Sequence, residues 1–170
     1  MTPPQTVIIG LQNPKSPENV GSVMRAAGCY QASAVRYTGE RFSRAVKYQT
    51  DTKNVHTTIP LSQVTDLLGD LPGNMQVVCV ELAEGAKALP QFEHPRHALY
   101  VFGPEDGSLP QSVIDAADHV VFVPTVGCMN LAASVNVVLY DRLCKSSPSV
   151  NHQDLIKRSR DNNNRLVVNT

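Results

Sequence analysis

Apolar positions along this chain fall into two rhythms. Residues 6–11 (Thr-Val-Ile-Ile-Gly-Leu) form a short, wholly apolar run, which suits a strand covered on both faces of a parallel sheet. The runs at 76–80, 98–102 and 119–123 read the same way, the last stopped by Pro124, and 34–37 reads as a shorter strand. Between these runs the spacing turns helical. Ser16-Pro17-Glu18 has the marks of a helix start: a capping hydroxyl, a proline where no amide is needed, and an acid in the first turn. That helix runs to about Gly28. Leu61, Val64, Leu67 and Leu68 predict another, ended by Gly69 and Pro72. A short helix is expected over 110–117 and a long one over 130–144. Residues 39–53 read as a loop with one helical turn, 56–59 as a short strand, and 146 onward as a polar tail, loose or partly helical.

Strands separated by helices predict an α/β fold: an open parallel sheet with helices on both faces. Ligands in such sheets bind outside the carboxyl ends of the strands. Three polar blocks lie there, after residue 11, after Phe102 and after Val123.

Length and composition narrow the class. With 170 residues, of which 42% are hydrophobic and 18% charged, the chain is expected to form one soluble globular domain over 1–146, followed by a polar basic tail over 147–170. No apolar run approaches the roughly 18 residues of a membrane span. The start, Met1-Thr2-Pro3-Pro4-Gln5, lacks the basic and apolar regions of a signal peptide. Cys29, Cys79, Cys128 and Cys144 form no C-x-x-C, so free thiols and a cytoplasmic location are expected. His94-Pro95-Arg96-His97 has no cysteine or acid to complete a metal set, so it reads as a surface turn and no metal is expected. No glycine-rich phosphate loop is present.

The zero net charge conceals an uneven distribution. Residues 25–53 carry six Lys/Arg against two acids, residues 54–144 three against ten, and residues 145–170 five against two. A basic front and a basic tail around an acidic middle are compatible with a phosphate-facing surface, although ordinary solvated faces would give the same tally.

The first block runs from Asn13-Pro14 through Asn19-x-Gly21-x-x-x-Arg25. It puts an arginine beside Met24 and Ala26-Ala27, a mostly apolar setting where an unpaired charge is costly; a capped helix with a solvated arginine is the plainer reading. The second, Phe102-Gly103-Pro104-Glu105-Asp106-Gly107, sets a close-approach glycine and a carboxylate at a strand mouth, or is simply a strand-to-helix turn. The third, 124–131 (Pro-Thr-Val-Gly-Cys-Met-Asn-Leu), opens a helix that is apolar almost all round. Such a helix is buried on more than one side. In a domain this small that predicts a partner subunit, so a homodimer through the 130–144 helix is expected; an internal core helix is the alternative. Cys128 has no neighbouring base to make it a nucleophile.

Each block alone is ordinary, but the three in this order resemble the TrmH-like (SpoU) branch of the SPOUT RNA methyltransferases, over about residues 6–145. The resemblance implies a C-terminal deep trefoil knot, which no periodicity would announce, a homodimer, and S-adenosylmethionine bound in the knot. It implies a minimal member without an appended RNA-binding domain. It also implies methylation of a ribose 2′-hydroxyl, with tRNA expected over rRNA; a catalytically silent RNA-binding member and a generic nucleotide-binding domain are the competing readings. Carried over to matching positions, Arg25 is the catalytic arginine, with Asn19 as its motif partner and Asn130 beside them. Gly103, Glu105, Val123, Cys128, Asn130 and Leu131 form the methyl-donor pocket, with Glu81 and Leu82 as its remaining wall. Cys128 stands where many members have serine. Arg36, Arg41, Arg44 and Lys47 are the candidate RNA contacts.

Overall fold

A computed structural model describes residues 5–46, the backbone of Lys47, and residues 59–146 and 151–168. The strands are β1 (Thr6–Leu11), β2 (Ala34–Tyr37), β3 (Leu61–Gln63), β4 (Gln76–Val80), β5 (Lys87–Ala88), β6 (His97–Phe102) and β7 (His119–Phe122). The helices are α1 (Pro17–Cys29), α2 (Arg41–Lys47), α3 (Gln111–Asp115), α4 (Leu131–Ser146) and α5 (His152–Ser159). The strands form one sheet in the order β3-β2-β1-β6-β4-β7-β5, and every pairing is parallel. The sheet first grows outward from β1 through β2 to β3. The chain then crosses to the other side of β1, lays down β4, and later inserts β6 between β1 and β4. Growth thus changes direction at β1, and a parallel sheet offers its binding crevice at such a switch.

The apolar strands are sandwiched as their composition requires. Val35, Ile9, Tyr100 and Val78 lie in one register row across four strands, and all four belong to the core beneath α1 and α4. The next row, Ile8, Leu99 and Val77, points to the opposite face and packs with Leu67, Leu109 and the α3 residues Val113 and Ile114. Alternate side chains therefore feed two cores, as the period of a strand dictates. α1 begins as its sequence directs: Ser16 caps it, its Oγ accepting from Asn19 N at 3.2 Å, and Pro17 takes the first turn.

Several expectations need correction. Residues 61–68 are not a helix. Leu61–Gln63 pairs alongside β2 as an exposed edge strand, and the chain then turns so that Leu67 is buried in the second core. The apolar spacing there reflects a turn that packs Leu67, with Val64 and Leu68 beside it, on the second core, and an exposed Leu61 on the sheet edge, rather than one helical face. The basic stretch carries a full helix, α2, through residue 47, while the strand expected over 56–59 lies mostly outside the described residues. The two-residue β5 and the 3-10 turn Leu89–Gln91 were not anticipated, being too short to carry a pattern.

His94 is not on a surface turn either. Its side chain is 2% exposed. Its Nδ1 lies 2.6 Å from the Tyr100 hydroxyl and its Nε2 2.8 Å from Asp141 Oδ2. Arg142, 5% exposed, donates to the Tyr100 hydroxyl at 3.0 Å, to the carbonyls of Pro95 and Arg96, and to Gln5 Oε1. Lys145 donates to the carbonyls of Leu89 and Phe92 and to Asp141. The proton accounting closes with a neutral His94: Nε2–H donates to Asp141, and Nδ1 accepts from a Tyr100 hydroxyl that itself accepts from Arg142. Burial pushes the Tyr100 hydroxyl up to about 12. Burial also lowers the His94 imidazole, with Arg142 and Lys145 adding to the effect and Asp141 opposing it.

Candidate active site

The carboxyl ends of β4, β6 and β7 open into a cavity of about 280 Å³, near the roughly 300 Å³ lower end of ordinary ligand pockets. Its apolar walls include Val80, Leu82, Phe102, Phe122, Val123 and Leu131. Glu81, Gly103, Glu105, Cys128 and Asn130 also line it. Every residue that the sequence suggested for a methyl-donor pocket thus borders this one space, although the pocket draws on three separate stretches between Glu81 and Leu131.

Glu105 is the structural hub of the site. One carboxylate oxygen accepts from Lys15 N at 2.8 Å; the other accepts from Ser16 N at 3.0 Å and from Asn19 Nδ2 at 3.1 Å. The backbone donors belong to the entry of α1, where unpaired amides favour an anion. Partial burial works against the charge, but the hydrogen bonds from Ser16, Asn19 and Lys15 outweigh it and hold the Glu105 carboxyl below its ordinary value. Asn19 Oδ1 in turn accepts from Asn130 Nδ2 at 2.9 Å. Asn130 caps α4, its Oδ1 accepting from Ala132 N at 2.9 Å and Ala133 N at 3.3 Å. One relay, Glu105–Asn19–Asn130, therefore ties together all three blocks.

The loops are held by further contacts. Asn13 and Gly39 both have positive φ, 45° and 78°, and a Cβ on Gly39 would run into the Asn13 side chain, so only glycine fits there. A Cβ on Gly103 would lie 3.3 Å from Glu81 Oε2 and 3.3 Å from Leu109 N. The absent side chain thus leaves a flat wall beside a carboxylate, a cradle that suits a planar nucleoside.

Not every candidate converges. Arg25 does not border the cavity. It lies on the exposed face of α1, opposite the buried Val20, Val23, Ala26 and Ala27, and makes no hydrogen bond or ion pair among the described residues. The apolar neighbours in sequence are not its neighbours in space. Arg41 is partly exposed but already partnered: its guanidinium pairs with Asp106 at 2.8 and 2.9 Å and donates to the Asn13 carbonyl. Arg36 donates to the Gly69 carbonyl at 2.9 Å. Arg44 is exposed, and the Lys47 side chain lies outside the described residues. Thr125 and Ser134, which also line the cavity, were missed; the spacing of Ser134, one turn after Asn130, was the signal available.

A family model for the SpoU rRNA Methylase family matches residues 6–140. No curated protein matches the chain. Among solved structures, an AdoMet-bound rRNA methyltransferase from Sinorhizobium meliloti aligns with a TM-score of 0.69 at 20% identity, over 87% of this chain and 60% of that one. A protein described under "Structural insights into the 2-OH methylation of C/U34 on tRNA" aligns with a TM-score of 0.69 at 20% identity, over 85% of this chain and 93% of that one. The A. aeolicus TrmH/SpoU tRNA modifying enzyme aligns with a TM-score of 0.66 at 16% identity, over 91% and 87%. This chain thus spans about three-fifths of the S. meliloti protein and most of the other two. The fold is that of the SPOUT methyltransferases, an open parallel sheet with a C-terminal deep trefoil knot.

Proposed function

Because this chain belongs to the SpoU rRNA methylase family, whose methyltransferases use S-adenosylmethionine, we propose that it methylates a ribose 2′-hydroxyl of transfer RNA. The observation that carries the reading is that the second and third blocks line one strand-end cavity and the first is tied to both through the hydrogen bonds of Asn19 to Glu105 and Asn130. Transfer RNA is put first in this reading, in line with the neighbours described for 2-OH methylation of tRNA and as a tRNA modifying enzyme.

When bound, the donor supplies an electrophilic methyl group; the chain's own residues hold and polarise the reactants. Gly103 and the apolar walls take the adenosine. Glu105 fixes the relation of the α1 entry to the pocket. Asn130 and Asn19 set the pocket edge from which the ribose is approached. Arg25 supplies a permanent positive charge on a planar fork suited to a phosphate and to a hydroxyl losing its proton.

Arg25 reaches a pocket in this reading through a homodimer. α1 and α4 pack side by side. Their outer surface carries Val137, Tyr140 and Leu143, which are 36%, 59% and 49% exposed, next to the small residues Gly21, Ser22 and Gly28 of α1. An apolar stripe of this kind is the mark of a subunit contact, and it would bring Arg25 to the partner's cavity. The basic residues Lys157, Arg158, Arg160 and Arg165 beyond residue 147 would help hold the RNA, with Arg44. All four cysteines are free thiols, which is in keeping with a cytoplasmic protein.

The test is transfer of labelled methyl to total tRNA and to rRNA, followed by nucleoside analysis. Ribose-methylated nucleosides from tRNA are expected. Label confined to rRNA would move the substrate; no transfer to any RNA would sink the activity. Arg25→Ala is expected to lower the rate by about 100-fold or more while leaving S-adenosylhomocysteine affinity within about twofold. A wild-type rate from that variant would remove Arg25 from the mechanism.

A further inference from the structure

The polar side chains around the cavity differ in how much hydrogen-bonding capacity they have left. Glu105 accepts three N–H groups from α1 and its entry. Asn130 spends its oxygen on capping α4 and an amide hydrogen on Asn19. The Thr125 hydroxyl donates to the Gly127 carbonyl at 3.0 Å, and the Ser134 hydroxyl to the Asn130 carbonyl at 3.1 Å. Glu81 is different. Its Oε1 accepts from Leu82 N at 3.0 Å and its Oε2 from Leu109 N at 2.9 Å. A carboxylate has about four acceptor sites, so one on each oxygen is uncommitted. The two backbone amides also fix the carboxylate's orientation at the end of β4. Gly103 opposite has no side chain, and a Cβ there would lie 3.3 Å from Glu81 Oε2, so the glycine keeps that oxygen uncovered.

Two adjacent acceptors, one on each oxygen of a fixed carboxylate, match two adjacent hydroxyl donors. A carboxylate at a strand end beside a glycine loop is a recurring way to hold ribose hydroxyls in parallel α/β sheets. The same charge repels phosphate, and among the described residues no Lys, Arg or His lines the cavity to offset it. We infer that Glu81 holds the vicinal 2′- and 3′-hydroxyls of the donor's adenosine and selects a nucleoside over a sugar-phosphorylated nucleotide. This rests on the methyl-donor reading of the cavity.

The experiment is calorimetric titration of the full-length protein with S-adenosylhomocysteine and with its 2′,3′-dideoxy analogue. Wild type should prefer the diol by about ten- to hundredfold, the effect expected of hydrogen bonds to a charged acceptor. Glu81→Gln should shrink that preference to about threefold or less while leaving affinity for the dideoxy analogue near wild type. Its loss should be equal for S-adenosylmethionine and S-adenosylhomocysteine, since both carry the diol. An undiminished preference in the variant would overturn the inference, as would a loss confined to S-adenosylmethionine, which would make Glu81 a partner of the sulfonium. If Glu81→Gln does not fold, Glu81→Asp, which withdraws the carboxylate by one methylene, should show the same narrowing, and wild type showing no preference overturns the inference without any variant. Wild type that binds neither compound refutes the methyl-donor reading itself, a result distinct from all of these.

Discussion

The two ends of α4 are anchored by polar networks of opposite design. At its start, Asn130 caps the helix and links through Asn19 to Glu105, an anion held by backbone amides at the entry of α1. At its end, Arg142 and Lys145 are cations held chiefly by backbone carbonyls, with His94, Tyr100 and Asp141 between them. The first network borders an open cavity; the second is closed, with Arg142 and the His94 side chain almost wholly buried. The difference teaches that a polar cluster is a candidate site when it leaves capacity facing a cavity, and a structural fastening when its buried groups bond to one another and to the backbone with no cavity beside them. At the closed end the His94 ring nitrogens and the Tyr100 hydroxyl all have partners inside the protein, and no cavity opens beside them among the described residues.

The comparison breaks most visibly at Arg142. Arg142→Ala strips hydrogen bonds from the Tyr100 hydroxyl and two carbonyls, and is expected to cost about 3 kcal/mol or more in urea unfolding, with S-adenosylhomocysteine affinity of the folded protein unchanged. Glu105→Gln should cost less, about 1–2 kcal/mol, because the amide accepts fewer of the three donors and the site is partly hydrated. It should weaken S-adenosylhomocysteine binding, which calorimetry would read; unchanged binding would make Glu105 a fastening like Arg142. Asn130→Ala removes the cap of α4 and should cost about 1 kcal/mol. Asn130→Asp restores the capping oxygen but not the donor to Asn19, so it should recover stability more than binding.

The smallest effect separates the two ends by pH. His94 has a lowered pKa in the folded state, so the unfolded chain takes up its proton first. Stability from this end is therefore lost as pH falls below about 6.5, the unperturbed imidazole value. Glu105 is also lowered, so its contribution is present above the ordinary carboxylate range and is lost only as pH falls below about 4.3 toward its folded value. Chemical unfolding across pH should show the upper part of the decline disappear in His94→Asn and the lower part diminish in Glu105→Gln. An unchanged profile in both variants would deny that either network titrates as described.

The fold and the cavity were largely legible in the sequence, because their signals are local. Four of the strands are apolar runs, and the three blocks follow strands β1, β6 and β7 directly, so placing the strands placed Gly103, Glu105, Val123 and Asn130 at one end of the sheet. What was not legible depended on neighbours distant in sequence. Leu61 pairs with Val35, which no helical spacing reveals. The charged stretch containing Arg36 and Arg41 looked free, but the partners that claim those guanidiniums are the Gly69 carbonyl and Asp106. Arg25 has apolar neighbours in sequence, but a helix sends adjacent residues to different faces, and its face is the exposed one, as the plainer reading of a capped helix with a solvated arginine has it.

By itself, then, the order of residues determined which segments bury both faces, where helices start, and which polar blocks stand at strand mouths. These follow from side-chain volume, capping chemistry and period, all acting over a few residues. Only the tertiary structure decided that β6 slips between β1 and β4, that His94 meets Asp141, and that Glu81 keeps spare acceptors across from Gly103. Such meetings depend on strand order and on the route of the chain between strands, and hydrogen-bond capacity is settled only when every competing donor has taken its place.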